Sequence, residues 1–305
     1  MSSDEPIPDN VPRWFRASPL LPGPLDSPPP AVNVEVEFGA RSRRAPQRFA
    51  NDDHYLVMRL GRYQDTLLTS LPSHVIPQRF DEFGYGMLVA NGMGVNGEAA
   101  SRVAVTTLVH LVVYFGKWHL RIEEPIAWEV MDRGERFYRA IDSALLQAGR
   151  HGGLALESTL TAVFTVGNDL FFAHVGDSRA YLFRDDKLMR LTHDHTFTRE
   201  HLGGAPNITL AAGPEDLRGV TESVEAPAGL HGPRIDVERL GLLDGDTVFM
   251  CTNGLTDMID EERIADVLRL PTSPDTQCQT LVDLAMDSGG REDATALVAR
   301  YRIPV

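Results

Sequence analysis

Five short stretches carry the side chains able to do chemistry. They read RFANDDH at 48–54, ANGMG at 90–94, HVGDSR at 174–179, CTNGLTD at 251–257 and GGREDAT at 289–295. Each sets a side-chain oxygen near the end of a strand-like run, often with glycine beside it so that backbone can approach a ligand closely. Hard cations such as Mg²⁺ and Mn²⁺ need that assembly: carboxylates, a backbone carbonyl and waters gathered from several strand ends. Two such ions can hold a phosphate ester, polarise its oxygens and turn a bridging water into a nucleophile. One basic side chain would fork onto the phosphate, and Arg48 is the candidate. Singly, each corner is also ordinary turn chemistry, since Asn-Gly and Asp before Ser favour turns and acidic runs usually lie in solvated loops. His193-Asp194-His195 resembles a metal-ligand pair, yet its place at the exit of a strand run favours a structural turn over zinc. Cys251, with no His or Lys beside it in sequence, reads as a core thiol.

The elements that must position these corners are legible in the apolar patterning. VNVEVEF alternates with period two, as a half-buried strand does, and YGMLVA is a second strand leading into the ANGMG corner. A helix follows with Ala104, Leu108, Leu111, Val112 and Phe115 on one face, and another at about 127–149 aligns Val130, Phe137, Ile141, Leu145 and Ala148. TLTAVFTV, LFFAHVG, AYLFR and LMRL, separated by Gly, Asn and Asp turns, predict antiparallel hairpins. Residues 197–234 are Gly-, Ala- and Pro-rich with weak periodicity, the pattern of an irregular flap. DTVFMCT returns as a strand, 260–287 carry helical patterns broken at PTSP, and ATALVARYRI closes as a strand. Strands and helices in this order predict layered sheets with helices outside.

Composition narrows the class of partner. With 29 Lys and Arg against 43 Asp and Glu, the net charge of -14 repels phosphate backbones and anionic lipid, so neither nucleic acid nor a membrane is an expected partner. MSSDEPIPDN lacks the features of a secretory signal, and the run LVHLVVYFG is shorter than the roughly 20 residues of a membrane span, so no transmembrane segment is expected and the expected location is cytoplasmic. Two cysteines fit a reducing compartment. Nine of the 20 prolines fall within residues 1–30, so 1–33 is expected to be an extended, disordered leader before a single domain over 34–305. Oligomeric state is not legible.

In order and context, the five corners resemble the PPM-type, or protein phosphatase 2C-like, metal-dependent serine/threonine phosphatases, from about residue 34 to 303. RFANDDH resembles the family's Arg segment ending in an acidic pair, and ANGMGVNGEAAS its Ala-Asp-Gly-Met-Gly-Gly motif. The stretch around HVGDSR resembles its central Gly-Asp-Ser-Arg hairpin, CTNGLTD its Asp-Gly-Leu-Thr-Asp strand end, and GGREDAT its Gly-Gly-Arg-Asp-Asn-x-Thr motif. The resemblance implies an α+β fold: a four-layer α/β/β/α sandwich of two antiparallel sheets with helices outside. It also implies a dinuclear Mn²⁺ or Mg²⁺ site, with Arg48 binding phosphate, Asp52 holding metal-bound water and Asp53 the neighbouring acid. Asn91 falls on the aspartate that bridges both metals, Gly92 on the glycine whose carbonyl binds one, and Asp177 on the acid of a third, weaker site. Asn253 and Glu292 fall on two further aspartate ligands, and Asp293 replaces the usual Asn.

Those departures decide between two expectations. Asn91 and Asn253 each replace a carboxylate by a neutral amide with one good oxygen donor, so two negative charges facing up to four positive ones are gone. Glu292 reaches one methylene further, which near-octahedral Mg²⁺ tolerates poorly, and Val95 adds bulk where the family has Gly. The preferred reading is a pseudophosphatase with reduced or absent metal, acting by binding a phosphoprotein or regulatory partner. The alternative is an active Mn/Mg-dependent phosphoserine/phosphothreonine phosphatase that uses Asp52, Asp53, Asp177, Asp257 and Glu292. Both amides also precede glycine, so slow deamidation is a route back to Asp, although turn geometry explains Asn-Gly more simply.

Overall fold

The computed structural model describes residues 34–71, 78–117, 122, 124–153, 155–195, 210–211 and 235–303. The expected leader, 1–33, and most of the expected flap, 197–234, lie outside these; within the flap only Leu210–Ala211 is described, as a short strand. The chain divides into two units. The larger comprises Val32–Arg62 with Glu82–Val305, and the described part of the smaller lies within Tyr63–Asp81, where the Thr66 N–H donates to the Gln78 carbonyl at 2.9 Å.

The larger unit contains two antiparallel sheets. The first runs in the order β1 (Glu35–Arg43), β12 (Ala294–Arg302), β11 (Thr247–Cys251), β7 (Arg179–Arg184), β8 (Lys187–Arg190). The second runs β10 (Asp236–Gly241), β6 (Asp169–Val175), β5 (Leu160–Val166), β3 (Arg79–Met93), β4 (Glu157–Ser158), β9 (Leu210–Ala211), with β2 (Asp53–Asp65) also paired to β3. Strand alternation builds the layers. Met87 and Val89 of β3 meet Val248 and Met250 of β11 in the core between the sheets, along with Leu182, Leu297 and Tyr301. The intervening residues face outward into helices: Leu88 and Ala90 onto α1 (Gly97–Phe115) and α2 (Glu124–Gly152), and Phe249 and Cys251 onto α4 (Glu261–Arg269) and α5 (Pro274–Asp287). A one-turn helix, α3 (Asn253–Thr256), follows β11. The result is the expected four-layer α/β/β/α sandwich.

Several local expectations change. HVGDSR does not turn a hairpin: β6 pairs with β5 and β10, whereas β7 pairs with β8 and β11, so Gly176–Ser178 carry the chain from one sheet to the other. Gly176 at φ +114° makes that crossing, and a Cβ there would sit 2.6 Å from Thr159 Cβ. Phe115 leaves the apolar face of α1 and is 66% exposed, while Ala104 and Leu108 are buried as expected. The apolar run read as too short to span a membrane belongs to a longer helical segment, Gly94–Phe115, which is long and apolar enough by composition; here Ala100, Ala104 and Leu108 pack it into the sheet-facing core. Cys251 and Cys278 are buried free thiols, as read from sequence.

Candidate active site

Four of the five corners converge at one edge of the sandwich through backbone and side-chain hydrogen bonds. The Gly92 N–H donates to the Asp52 carbonyl at 2.9 Å, and the Thr252 N–H to the Thr295 carbonyl at 3.2 Å. Glycine is required at two of these contacts. A Cβ on Gly92 would lie 1.7 Å from the Gly97 carbonyl oxygen, and one on Gly254 would lie 2.0 Å from that of Asp293. Close backbone approach therefore accounts for the glycine of both Asn-Gly pairs.

The two amides meet. Asn91 Nδ2 donates to Asn253 Oδ1 at 2.7 Å, and Asn253 Nδ2 donates to Glu292 Oε2 at 3.2 Å. Asn91 is buried at the end of β3, its own N–H donating to Thr159 Oγ1 at 3.0 Å and its carbonyl accepting from the Thr159 N–H at 2.9 Å. Amide, amide and carboxylate thus form a directional chain, with one N–H of each amide donated to the next oxygen.

Arg48 is held by carboxylates. It donates to Asp52 Oδ2 at 2.6 Å and lies 3.6 Å from Asp293 Oδ2 and 3.8 Å from Glu292 Oε1. Asp293 in turn accepts from the Ala45 and Asp52 N–H groups, both at 2.7 Å, and so fixes the loop that carries Arg48. Partial burial pushes the Asp52 carboxyl upward against the opposing pull of Arg48. Asp53 is 5% exposed, and burial raises its carboxyl to about 8 although the Thr295 and Thr252 hydroxyls both lie 2.7 Å from Oδ2. Its Oδ1 is buried with no hydrogen-bond donor. Asp177 stands on the inter-sheet crossing, buried, with its carboxyl raised to about 6 by burial and then by Asp194, Asp257 and Glu292.

The structure thus brings Arg48, Asp52, Asn91, Gly92, Asn253 and Glu292 together, and holds Asp53 on Thr252 and Thr295 just behind them. Asp177 feels the field of Glu292 and the other acids, and its neighbour Ser178 is tied to Asn91 through Thr159, whose Oγ1 lies 2.7 Å from Ser178 Oγ and accepts the Asn91 N–H. Thr252, Thr295 and Thr159 are not among the residues singled out from sequence; Thr252 stands one residue before Asn253 and Thr295 two after Asp293, whereas Thr159 lies in none of the five corners and carries no such signal. His193-Asp194-His195 is structural as expected: the His193 carbonyl accepts from His174, Asp194 pairs with Arg179, and His195 Nε2 lies 3.0 Å from Asp236 Oδ2. Burial raises the Cys251 thiol far above its ordinary range, which makes it inert.

Two divalent cations do not fit these residues as arranged. Among the described residues no group of three His, Cys, Asp or Glu side chains gathers as a metal cage. At the expected bridging and flanking positions stand two neutral amides, with Asn91 Nδ2 turned to Asn253 Oδ1 and Asn253 Nδ2 to Glu292 Oε2, and an amide N–H turned toward a cation is repulsive.

Comparison with known proteins places these features in context. The family model described as Protein phosphatase 2C matches residues 78–283, a span that includes Asn91, Asp177 and Asn253 and leaves Arg48 and Glu292 on its flanks. The serine/threonine protein phosphatase PstP of Mycobacterium tuberculosis is 30% identical over 219 residues, which are 70% of this chain and 40% of that protein. The chain therefore spans well under half the length of PstP. The serine/threonine phosphatase stp of Listeria welshimeri is 27% identical over 230 residues, 71% of this chain and 84% of that one. The crystal structure of the PstP catalytic domain with two manganese ions shares the fold at a TM-score of 0.61 and 23% identity, covering 88% of this chain and 100% of that one.

Proposed function

The chain belongs to the protein phosphatase 2C family of PPM-type serine/threonine phosphatases, and on that premise we propose that it is a pseudophosphatase, a homologue that keeps the fold and acts by binding rather than by hydrolysis. The observation that supports this reading is the chain Asn91–Asn253–Glu292, in which two neutral amides, hydrogen-bonded to each other and on to the carboxylate, stand where the resemblance places charged aspartates. Each lost carboxylate is worth about 2–4 kcal/mol of charge-assisted ligation, so two together lower metal affinity or rate by at least about a thousandfold. Arg48, held by three carboxyl groups, is positioned as part of the scaffold of the site. Because PstP is a serine/threonine protein phosphatase, the partner class proposed here is a phosphorylated or regulatory protein. Phe49, next to Arg48, and Val95, just past the Asn91–Gly94 corner, are both fully exposed and offer apolar contact to such a partner.

Mn²⁺ titration by calorimetry, paired with p-nitrophenyl phosphate turnover, tests this on the native chain and on a variant carrying Asn91→Asp and Asn253→Asp. The expected result is no metal binding at millimolar Mn²⁺ and no turnover for the native chain, with Mn²⁺ binding gained in the double variant. Two bound ions and turnover in the native chain would make it an active phosphatase and overturn the reading.

A further inference from the structure

Away from the candidate active site, a cavity of about 410 Å³ lies between α1, α2 and the sheet face formed by β3, β5 and β6. Met58, Leu108, Phe137 and Phe172 contribute to its wall. Protein interiors rarely leave a void larger than a water molecule, because its lining forfeits dispersion contacts. The volume instead falls within the roughly 300–1,000 Å³ of small-molecule pockets. An apolar lining does not hold ordered water, and the one buried hydroxyl among the lining residues, that of Tyr138, is already donated to the Ala173 carbonyl at 2.7 Å.

The charged residues of the lining are Lys117, just beyond α1, and Arg133 on α2, both cations. Lys117 Nζ lies 2.8 Å and Arg133 2.5 Å from the same oxygen, Glu129 Oε1. Among the described residues of the lining, two cations share one carboxylate at this end of the cavity. Nearby carboxylates of α2 serve other arginines: Glu124 pairs with Arg239, Asp132 with Arg136 and Glu135 with Arg139. The side chain of Lys117 is 65% exposed and marks the solvent end, while the apolar walls extend inward.

From this combination we infer that the cavity is a binding site for a free monocarboxylate with an alkyl tail, a fatty acid in chemical class. The tail fills the apolar space and the carboxylate meets Lys117 and Arg133. The inference does not depend on whether the phosphatase corner is catalytic. The two sites share a strand, since β3 lines the cavity at Gly86–Leu88 and delivers Asn91 at its end.

Gly134 supplies a test that does not rely on damaging the fold. It lines the cavity from α2, and a Cβ built there would meet only Val237 Cγ1, at 3.8 Å. Gly134→Leu therefore fills the cavity while improving the helix. Dodecanoate, kept below its critical micelle concentration, is titrated into the full chain by calorimetry, with dodecanol and dodecyltrimethylammonium as neutral and cationic probes. The expected result is saturable binding of dodecanoate, at least about tenfold tighter than dodecanol, and none of the cationic probe. Gly134→Leu abolishes the binding with an unchanged or raised Tm, and Lys117→Ala weakens dodecanoate about tenfold while leaving dodecanol unchanged. Absence of saturable binding, survival of binding in Gly134→Leu, or equal affinity for dodecanoate and dodecanol would overturn the inference.

Discussion

Gly92 is held where no side chain can follow, because its Cα faces the Gly97 carbonyl across a gap that leaves a Cβ only 1.7 Å from that oxygen. Backbone packing alone imposes this requirement, whatever the carbonyl of Gly92 does. Gly92→Ala is therefore expected to cost at least about 3 kcal/mol in urea unfolding, measured in chelator-treated, metal-free buffer. A loss appearing only when Mn²⁺ is supplied would return Gly92 to a role confined to ligation. Asp293 makes a parallel case. The family resemblance places Asn there, yet here each side-chain oxygen accepts a backbone N–H, from Ala45 and from Asp52. Asn could satisfy one donor and would turn its own NH₂ on the other, so Asp293→Asn is expected to lose about 1–3 kcal/mol by the same measurement. The residue types at these corners were legible in the sequence; the partners that give Asp293 its reason were not, since Ala45 and Asp52 lie far away in the chain.

At the scale of elements, α4 and α5 read in the sequence only as helical patterns over 260–287 broken at PTSP, and the structure gives each its own starting signal. Ser273 accepts the Thr276 N–H at 3.2 Å and precedes Pro274, while Asp260 accepts the Arg263 N–H at 2.8 Å. Ser273→Ala is expected to lower stability by about 1 kcal/mol in urea unfolding without changing the denaturant slope, since the fold stays intact and only one helix end loses its partner. The strands buried on both faces, such as β11, announced themselves as continuous apolar runs. Four strands did not: β4 and β9 are only two residues long, and β2 and β10 hide for reasons of composition. β2 ends in exposed, charged residues, and β10, DVERLG, is polar enough to merge with the irregular stretch before it. The GDS corner was misread for a different reason: the same turn residues serve a hairpin and a switch between sheets, and only the pairing of β7 with β11 distinguishes them. Phe115 departs from its predicted face where α1 reaches its final turn.

At the scale of the whole molecule, the two sheets are tied by a buried imidazole pair. His174 belongs to β6 of one sheet, whereas His193 and His195 follow β8 of the other. His174 Nε2 donates to the His193 carbonyl at 3.0 Å, and Nδ1, left as an acceptor, takes the Thr161 hydroxyl at 2.8 Å. The His195 ring packs against it at 4.8 Å, with Asp236 beyond and Asp194 nearby. Burial, and then the His195 ring, lowers the folded-state pKa of His174 to about 3. The unfolded chain, titrating near 6.5, therefore binds a proton that the folded chain refuses. Stability from this group is fully present above about pH 6.5 and falls by about 1.4 kcal/mol per unit as pH descends towards 3. Asp53 and Asp177, whose buried carboxyls are raised, act in the opposite sense, since the folded chain keeps protons that the unfolded chain releases. Comparing native protein with His174→Gln, whose amide can still accept and donate, cancels those carboxyl contributions. Urea unfolding at pH 8, 6, 5 and 4 is expected to show the variant less stable at pH 8 but with the shallower decline below pH 6. Parallel declines would mean that His174 is protonated in the folded state without penalty, and that acid separates the sheets through some other group.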